Sequence, residues 1–203
     1  LGKPVMPPRR DCIVAGTDEA GRGPLAGPVV AAAVILTFEQ RGMLVKAGLK
    51  DSKKMTEASR ERMFQKMCEL GVIWKAQAAS PARIDSMNIL RASLWCMKRS
   101  VEKLPTWPDL TLIDGNQLIP GLLSEQKCII KGDNKVPAIA AASVIAKVLR
   151  DRAMIALDKI YPQYGFAVHK GYPSAEHRRI LKEIGASPVH RLSFRGVLTA
   201  QEL

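Results

Sequence analysis

Short apolar runs alternate with polar segments along the chain, and the spacing of the apolar positions changes from segment to segment. Three early runs are compact: Cys12–Asp18, Val29–Leu36 and Val72–Ala79. Their lengths suit strands. The second, rich in Val, Ile and Ala, has no polar alternation, as in a strand covered on both faces. Between the second and third, Met63, Phe64, Met67 and Leu70 recur at helical spacing, which predicts a helix over Thr56–Leu70. Thr56 can cap it, Glu57 favours its first turn, and Gly71 can end it. Ser80-Pro81 opens a helical region to about Leu104, with Ile89, Leu90, Leu94, Met97, Val101 and Leu104 at helical spacing. Leu110–Asp114 and Lys127–Lys131 read as two more strands. Pro137 opens a long helix over Ala138–Ile160, and its alanine-rich start lets it pack close to a sheet. After Tyr161-Pro162 the period is lost, and a last helix is expected over Ser174–Ile184. Strands first, then strands alternating with helices, fit an α/β fold: a mixed five-stranded sheet flanked by helices, with a small basic helical region at the C-terminal end.

The 203 residues leave room for one such domain with a small appendage. No run of 18 apolar residues occurs, which excludes an uninterrupted apolar helix across a bilayer. Leu1–Asp11 is proline-rich and basic and lacks the apolar core of a signal peptide; it reads as a flexible lead-in. Cys12, Cys68, Cys96 and Cys128 are scattered without zinc-ligand spacing, and read as buried free thiols in a reducing cytoplasm. Lys and Arg outnumber Asp and Glu by 31 to 19, a net charge of +12, which favours a polyanionic partner such as nucleic acid. The excess is concentrated late, with 12 Lys and Arg against 5 Asp and Glu from Lys131 to Arg195. No helix combines a basic face with a large exposed apolar one, so a membrane surface is disfavoured.

Four carboxylates stand out by position. Asp18 and Glu19 sit where the first strand runs out, Asp114 ends the Leu110–Asp114 strand, and Asp133 lies just before the Pro137 helix. If the first and fourth strands are parallel neighbours, Asp18 and Asp114 converge at the C-terminal edge of the sheet, where open α/β sheets place their sites. Clustered carboxylates repel unless cations neutralise them. Two hard cations about 3.5–4 Å apart would do so and would assemble a phosphoryl-transfer site without a side-chain nucleophile. Directly after Glu19 comes Ala20-Gly-Arg-Gly-Pro24. Glycine permits close approach of a phosphate or sugar to backbone, which gives Gly21, Arg22 and Gly23 a candidate substrate-binding role.

These segments resemble the bacterial ribonuclease HII family. Gly16–Pro28 looks like its first motif and Leu49–Lys54 like its second. Leu112–Asn116 and Lys131–Asp133 match its later acidic motifs, Ala140–Asp151 its following helix, and His169–Pro173 and His190–Phe194 its C-terminal motifs. The resemblance covers residues 12–198 and implies a ribonuclease H-like fold. It implies an endonuclease dependent on Mg²⁺ or Mn²⁺ that hydrolyses the RNA strand of RNA–DNA hybrids. It also implies incision 5′ of single ribonucleotides in duplex DNA, leaving 3′-hydroxyl and 5′-phosphate ends. By motif match, Asp18, Glu19, Asp114 and Asp133 are the catalytic metal ligands. Gly21, Arg22 and Gly23 contact the ribonucleotide, and Tyr172 packs on the deoxyribose beyond it.

Lys50, Lys53 and Lys54, and Lys147 and Arg150, admit either phosphate contacts or plain surface placement. His169, His177 and His190 lack zinc-site spacing and read as structural or substrate-edge residues. The resulting expectation is a cytoplasmic monomer with a lead-in over 1–11, a catalytic domain over 12–160 and a substrate-binding region over 161–203. Gln201–Leu203 offers no evident signal for a sliding clamp. The alternatives are another ribonuclease H-like nuclease, such as a junction resolvase, or a hybrid-binding protein without activity.

Overall fold

The computed structural model describes residues 12–49 and 52–197, without the side chain of Lys53. The N-terminal lead-in, Lys50 and Asp51, and Gln201–Leu203 lie outside the described residues. Five strands form one sheet in the order β3-β2-β1-β4-β5. They are β1 (Val14–Ala20), β2 (Val29–Ile35), β3 (Ile73–Ala79), β4 (Leu110–Asp114) and β5 (Glu125–Ile129). β1–β2 and β2–β3 pair antiparallel, whereas β1–β4 and β4–β5 pair parallel, so the sheet is mixed as expected.

Helices cover both faces. On one side lie α1 (Phe38–Lys46), α2 (Glu57–Glu69) and α5 (Pro137–Ile160); on the other lie α3 (Pro81–Met87) and α4 (Ile89–Glu102). β2 supplies both cores, with Ala32 and Val34 facing α5 and Val29, Ala31 and Ala33 facing α4, which explains its unbroken apolar run. α5 meets β1 very closely. A Cβ built on Gly16 would lie 2.4 Å from the Ala138 carbonyl carbon, so the glycine and the alanines together set this approach. The C-terminal segment adds α6 (Phe166–His169) and α7 (Ala175–Ile184). Met154 of α5 packs with Ala26, Tyr164, Phe166 and Ile180 in a separate small core.

The structure departs from the sequence expectations at defined points. β1 runs on through Ala20, so Asp18 and Glu19 lie within the strand rather than at its end. α1 was not expected; a reciprocal capping box of Thr37 and Gln40 starts it, and only Leu44 on it is buried. The region from Ser80 to Leu104 is two helices, broken at Asn88, which takes a φ of 67° and caps α4 through its side chain. β5 begins two residues early, and the stretch after Tyr161 holds a 3-10 turn and α6. Of the cysteines expected to be buried, Cys12 and Cys68 are exposed; all four thiols are free. Among the described residues no helix is long and apolar enough to cross a membrane.

Candidate active site

The parallel register of β1 and β4 pairs Thr17 with Ile113, so the next residues, Asp18 and Asp114, stand side by side on adjacent strands. Asp133 arrives from the 3-10 turn Gly132–Asn134 that precedes α5. That turn is fastened to β4, because the Gly132 amide donates to the Asp114 carboxylate at 2.7 Å. One carboxylate oxygen each from Asp18, Asp114 and Asp133 lies within 4.8 Å of the others.

Glu19 stands apart from this triad for a geometric reason. Adjacent strand residues point to opposite faces. Asp18 turns towards Ser143 of α5, whereas Glu19 borders a hollow with Leu90, Ser93, Leu94 and Met97 of α4. Glu19 and Asp114 both border this hollow and the cleft that Asp18 lines. Glu19 also pairs with Arg22 at 3.4 Å.

Burial holds the Asp18 carboxyl well above its usual range, and the charges of Glu19 and Asp114 push the same way. Opposing this, the Ser143 hydroxyl and the Glu19 amide, the latter at 2.7 Å, favour the anion. Burial also raises Glu19, with Arg22 drawing it down and Asp114 pushing it up. Crowded, desolvated carboxylates of this kind are hard oxygen donors in need of positive charge, and the triad fits a divalent cation.

Asp18, Glu19 and Asp114 share a cleft of ≈ 240 Å³ with Gly21, Arg22, Gly23, Ser52, Ser143, Lys147 and Tyr172. Expected metal and substrate residues thus meet in one place. Asp133 reaches the triad from the adjoining hollow beside Lys54, Asn134 and Pro137. Lys54 donates to the Asn134 side chain at 2.7 Å. Lys147 lies 5.5 Å from the centre of the Tyr172 ring and 3.3 Å from Asp151.

Gly21 and Gly23 are glycines for different reasons. Gly21 has φ +95°, and a Cβ there would lie 2.0 Å from Nε of Arg150. A Cβ on Gly23 would meet only Tyr172 Cε1, at an ordinary 3.8 Å. The described protein leaves that side of Gly23 open.

Arg150 departs from both sequence readings, being neither a surface residue nor one exposed to meet a phosphate. Its side chain is fully buried and donates to the carbonyls of Pro28, Ala26 and Lys170. Sequence reasoning also passed over Arg191, Ser52 and Ser143. The two serine hydroxyls are buried and lie 2.9 Å apart. The signal for the arginines was the loop itself: Pro24 and Pro28 lack amides, yet the surrounding carbonyls are buried and need donors. The histidines are wired to one another and to backbone, with His177 Nε2 2.9 Å from His190 Nε2 and His177 Nδ1 2.9 Å from the Tyr172 carbonyl.

A mixed sheet of this order, carrying an acidic triad at the ends of adjacent parallel strands, defines a protein of the ribonuclease H-like class, whose family-level activity is hydrolysis in RNA–DNA hybrids. More narrowly, the chain belongs to the ribonuclease HII family, which matches residues 15–197. It is similar to the ribonuclease H2 of Pyrococcus horikoshii OT3, at 29% identity over 91% of this chain and 95% of that one, with a TM-score of 0.79. It is also similar to the ribonuclease HII of Archaeoglobus fulgidus, at 29% identity over 84% of this chain and 85% of that one, with a TM-score of 0.69. Bst-RNase HIII, solved in complex with Mn²⁺, shares the fold at 19% identity over 92% of this chain and 68% of that one, with a TM-score of 0.76. The likeness therefore extends to archaeal proteins and is not specifically bacterial. The Archaeoglobus protein was solved as a PCNA:RNase HII complex. That finding overturns the expectation that nothing points to a sliding clamp: a short C-terminal tripeptide was too little sequence on which to set such a partner aside.

Proposed function

We propose that the chain is an endoribonuclease that cleaves the RNA strand of RNA–DNA hybrids and incises duplex DNA 5′ of a single embedded ribonucleotide, leaving 3′-hydroxyl and 5′-phosphate ends. One observation carries this reading: the Asp18, Asp114 and Asp133 cluster lies beside a cleft bordered by Gly21–Gly23 and Tyr172. Asp18, Asp114 and Asp133, joined by Glu19, would hold two divalent cations, Mg²⁺ or Mn²⁺. Such ions supply an activated water and stabilise the leaving oxygen.

The chain's own residues do the rest. Asp18 and Asp114 are fixed by strand register, so little reorganisation accompanies loading. The open side of Gly23 admits a ribose close to backbone amides, which is how a 2′-hydroxyl is told from hydrogen. Tyr172, 40% exposed, presents its ring at the edge of this same open side of Gly23, suited to a flat contact with the next deoxyribose. Lys147, and Lys53 by its place in the second motif, would meet phosphates. Residues 161–203, with their basic excess, would grip the duplex, so affinity should fall steeply with salt. The four free thiols accord with a cytoplasmic setting. By likeness to the Archaeoglobus protein, a sliding clamp is a candidate partner.

The test is incubation with Mg²⁺ and a DNA duplex carrying one ribonucleotide, beside an all-DNA duplex and a hybrid. The expected result is a single incision 5′ of the ribonucleotide and cleavage of the hybrid. No incision, or equal incision of the all-DNA duplex, contradicts the reading.

A further inference from the structure

Two arginines are the largest fully buried side chains among the described residues, and both lie under the loop that follows β1. Arg191 donates from Nη2 to the Gly21 carbonyl at 2.6 Å, from Nη1 to the Arg22 carbonyl at 3.0 Å, and from Nε to the Gly27 carbonyl at 3.0 Å. All three donor nitrogens of one planar fork are thus spent on one loop. Among the described residues neither arginine forms the direct carboxylate pair that usually accompanies a buried guanidinium. Burial and the neighbouring Arg150 charge push Arg191 down to about 9, so it remains a cation at neutral pH.

The consequence for the loop follows from peptide geometry. Each trans peptide points its N–H opposite to its C=O. With the carbonyls of Gly21 and Arg22 drawn inward to Arg191, the amides of Arg22 and Gly23 must point outward. Arg22 and Gly23 are exposed, and neither amide donates to another protein group among the described residues. Two successive outward amides form a small concave donor surface suited to an oxygen-rich ligand. They border the cleft that holds the carboxylates.

We infer that Arg191 is a specificity-determining positioning residue: by holding two carbonyls inward it presents the Arg22 and Gly23 amides to the incoming ribose and its phosphate. This rests on the ribonucleotide-cleaving reading above. Arg191 touches no substrate itself. Its own position is set from α3, where the Asp85 carboxylate accepts the amides of Leu192 and Ser193, each at 3.0 Å. Asp85 is thus a second, remote handle on the same loop.

The experiment compares wild type with Arg191→Lys, which keeps the charge and loses the fork, and with Asp85→Asn, which loosens the turn carrying Arg191. Thermal unfolding of each variant identifies a temperature at which it is folded. There, KM and kcat are measured in Mg²⁺ on the single-ribonucleotide duplex, and Ki is measured for an all-DNA duplex as competitor. The ratio Ki/KM reports how well the ribose is read, and a merely structural defect lowers the active fraction without moving it. Loss of hydrogen bonds from a charged donor predicts a fall in that ratio of about tenfold or more for Arg191→Lys, with all-DNA affinity nearly kept. Asp85→Asn should move it the same way by a smaller factor, and it carries the comparison alone if Arg191→Lys does not fold. A folded variant with an unchanged ratio overturns the role of Arg191. Cleavage by wild type with no preference over the all-DNA competitor overturns it as well. Failure of wild type to cleave at all instead overturns the proposed function.

Discussion

Gly21 and Gly23 are two residues apart, yet alanine should do opposite things at the two positions. At Gly21 a methyl group would sit 2.0 Å from Nε and 2.4 Å from Cδ of Arg150, on a residue with φ +95°. The left-handed backbone costs a non-glycine residue about 1–2 kcal/mol. Displacing Arg150 from even one carbonyl costs about 1.5–3 kcal/mol more, because its donor is charged. Gly21→Ala should therefore lose on the order of 3–5 kcal/mol, a drop in melting temperature of about 10 °C for a chain of this size. At Gly23 the methyl group would meet only Tyr172 Cε1 at 3.8 Å, and the backbone is not left-handed. Its stability cost should lie within about 0.5 kcal/mol, with a small gain from the stiffer unfolded chain as a reasonable outcome. The same methyl group would intrude where the ribose is proposed to lie. Overpacking of about 1–3 kcal/mol there means a loss of roughly five- to 150-fold in kcat/KM on a single-ribonucleotide duplex. Thermal unfolding and steady-state kinetics on the two variants separate the effects. A Gly23→Ala protein as unstable as Gly21→Ala, or one that keeps full activity, would refute the claim that the open side of Gly23 is reserved for substrate.

Asp114→Asn should lower hybrid cleavage by at least about a hundredfold while leaving the melting temperature unchanged or higher, since it removes one of the charges that crowd Asp18; retained turnover would contradict a ligand role. Tyr172→Ala should reduce kcat/KM more on the single-ribonucleotide duplex than on the hybrid, and equal losses in a parallel assay would exclude a role at the RNA–DNA junction. Burial, with His177 and then His169 nearby, brings His190 down to about 4, against the effect of a backbone hydrogen bond with Ser187. A histidine depressed in the folded state stabilises fully above its ordinary value near 6.5 and loses that contribution as pH falls towards 4, about 3 kcal/mol in all. The difference in urea midpoint between wild type and His190→Gln should therefore shrink from pH 7 to pH 4.5; a constant difference would contradict it.

What the sequence disclosed, and what it hid, divides by the range of the forces involved. β4 was legible to the residue because Leu110, Leu112 and Ile113 are apolar, Thr111 favours a strand, and the run ends at Asp-Gly. Its parallel pairing with β1 was the step that brought Asp18 and Asp114 together, and the observed register has that form. α1 was missed because its burial pattern is nearly absent; the Thr37–Gln40 capping box was the available signal. The break at Asn88 was hidden because the apolar spacing continues across it, while the reversal depends on one residue with φ 67°. β5 lies at a sheet edge and carries Glu125, Gln126 and Lys127, so its apolar residues alone placed it too late. Proximity in sequence does not fix direction: Glu19 follows Asp18 directly, yet the pleat turns it towards α4 while it still borders the cleft of Asp18 and Asp114. The buried arginines were the least legible, since arginine is ordinarily read as a surface residue and only the fold shows which carbonyls it serves.

The site therefore rests on two supports of different kind. Its carboxylates are placed by strand register, a local property of β1 and β4. Its Gly21–Pro28 loop has no such ladder. Apart from the exposed Arg22 and Gly23 it is largely buried, and its two prolines leave it fewer amides to give and several carbonyls to satisfy. Leaving a buried carbonyl unpaired costs about 1–3 kcal/mol. Between them Arg150 and Arg191 serve the carbonyls of Gly21, Arg22, Ala26, Gly27, Pro28 and Lys170. Six such partners together can offset the several kcal/mol of desolvation that each buried cation incurs. An apolar side chain would fill the same space and satisfy none of them. Fixing the loop with charged donors also leaves two permanent positive charges beneath a surface proposed to receive phosphate. A loop held in this way keeps its shape before the nucleic acid arrives, so its amides can discriminate a ribose rather than adapt to whatever sugar is presented.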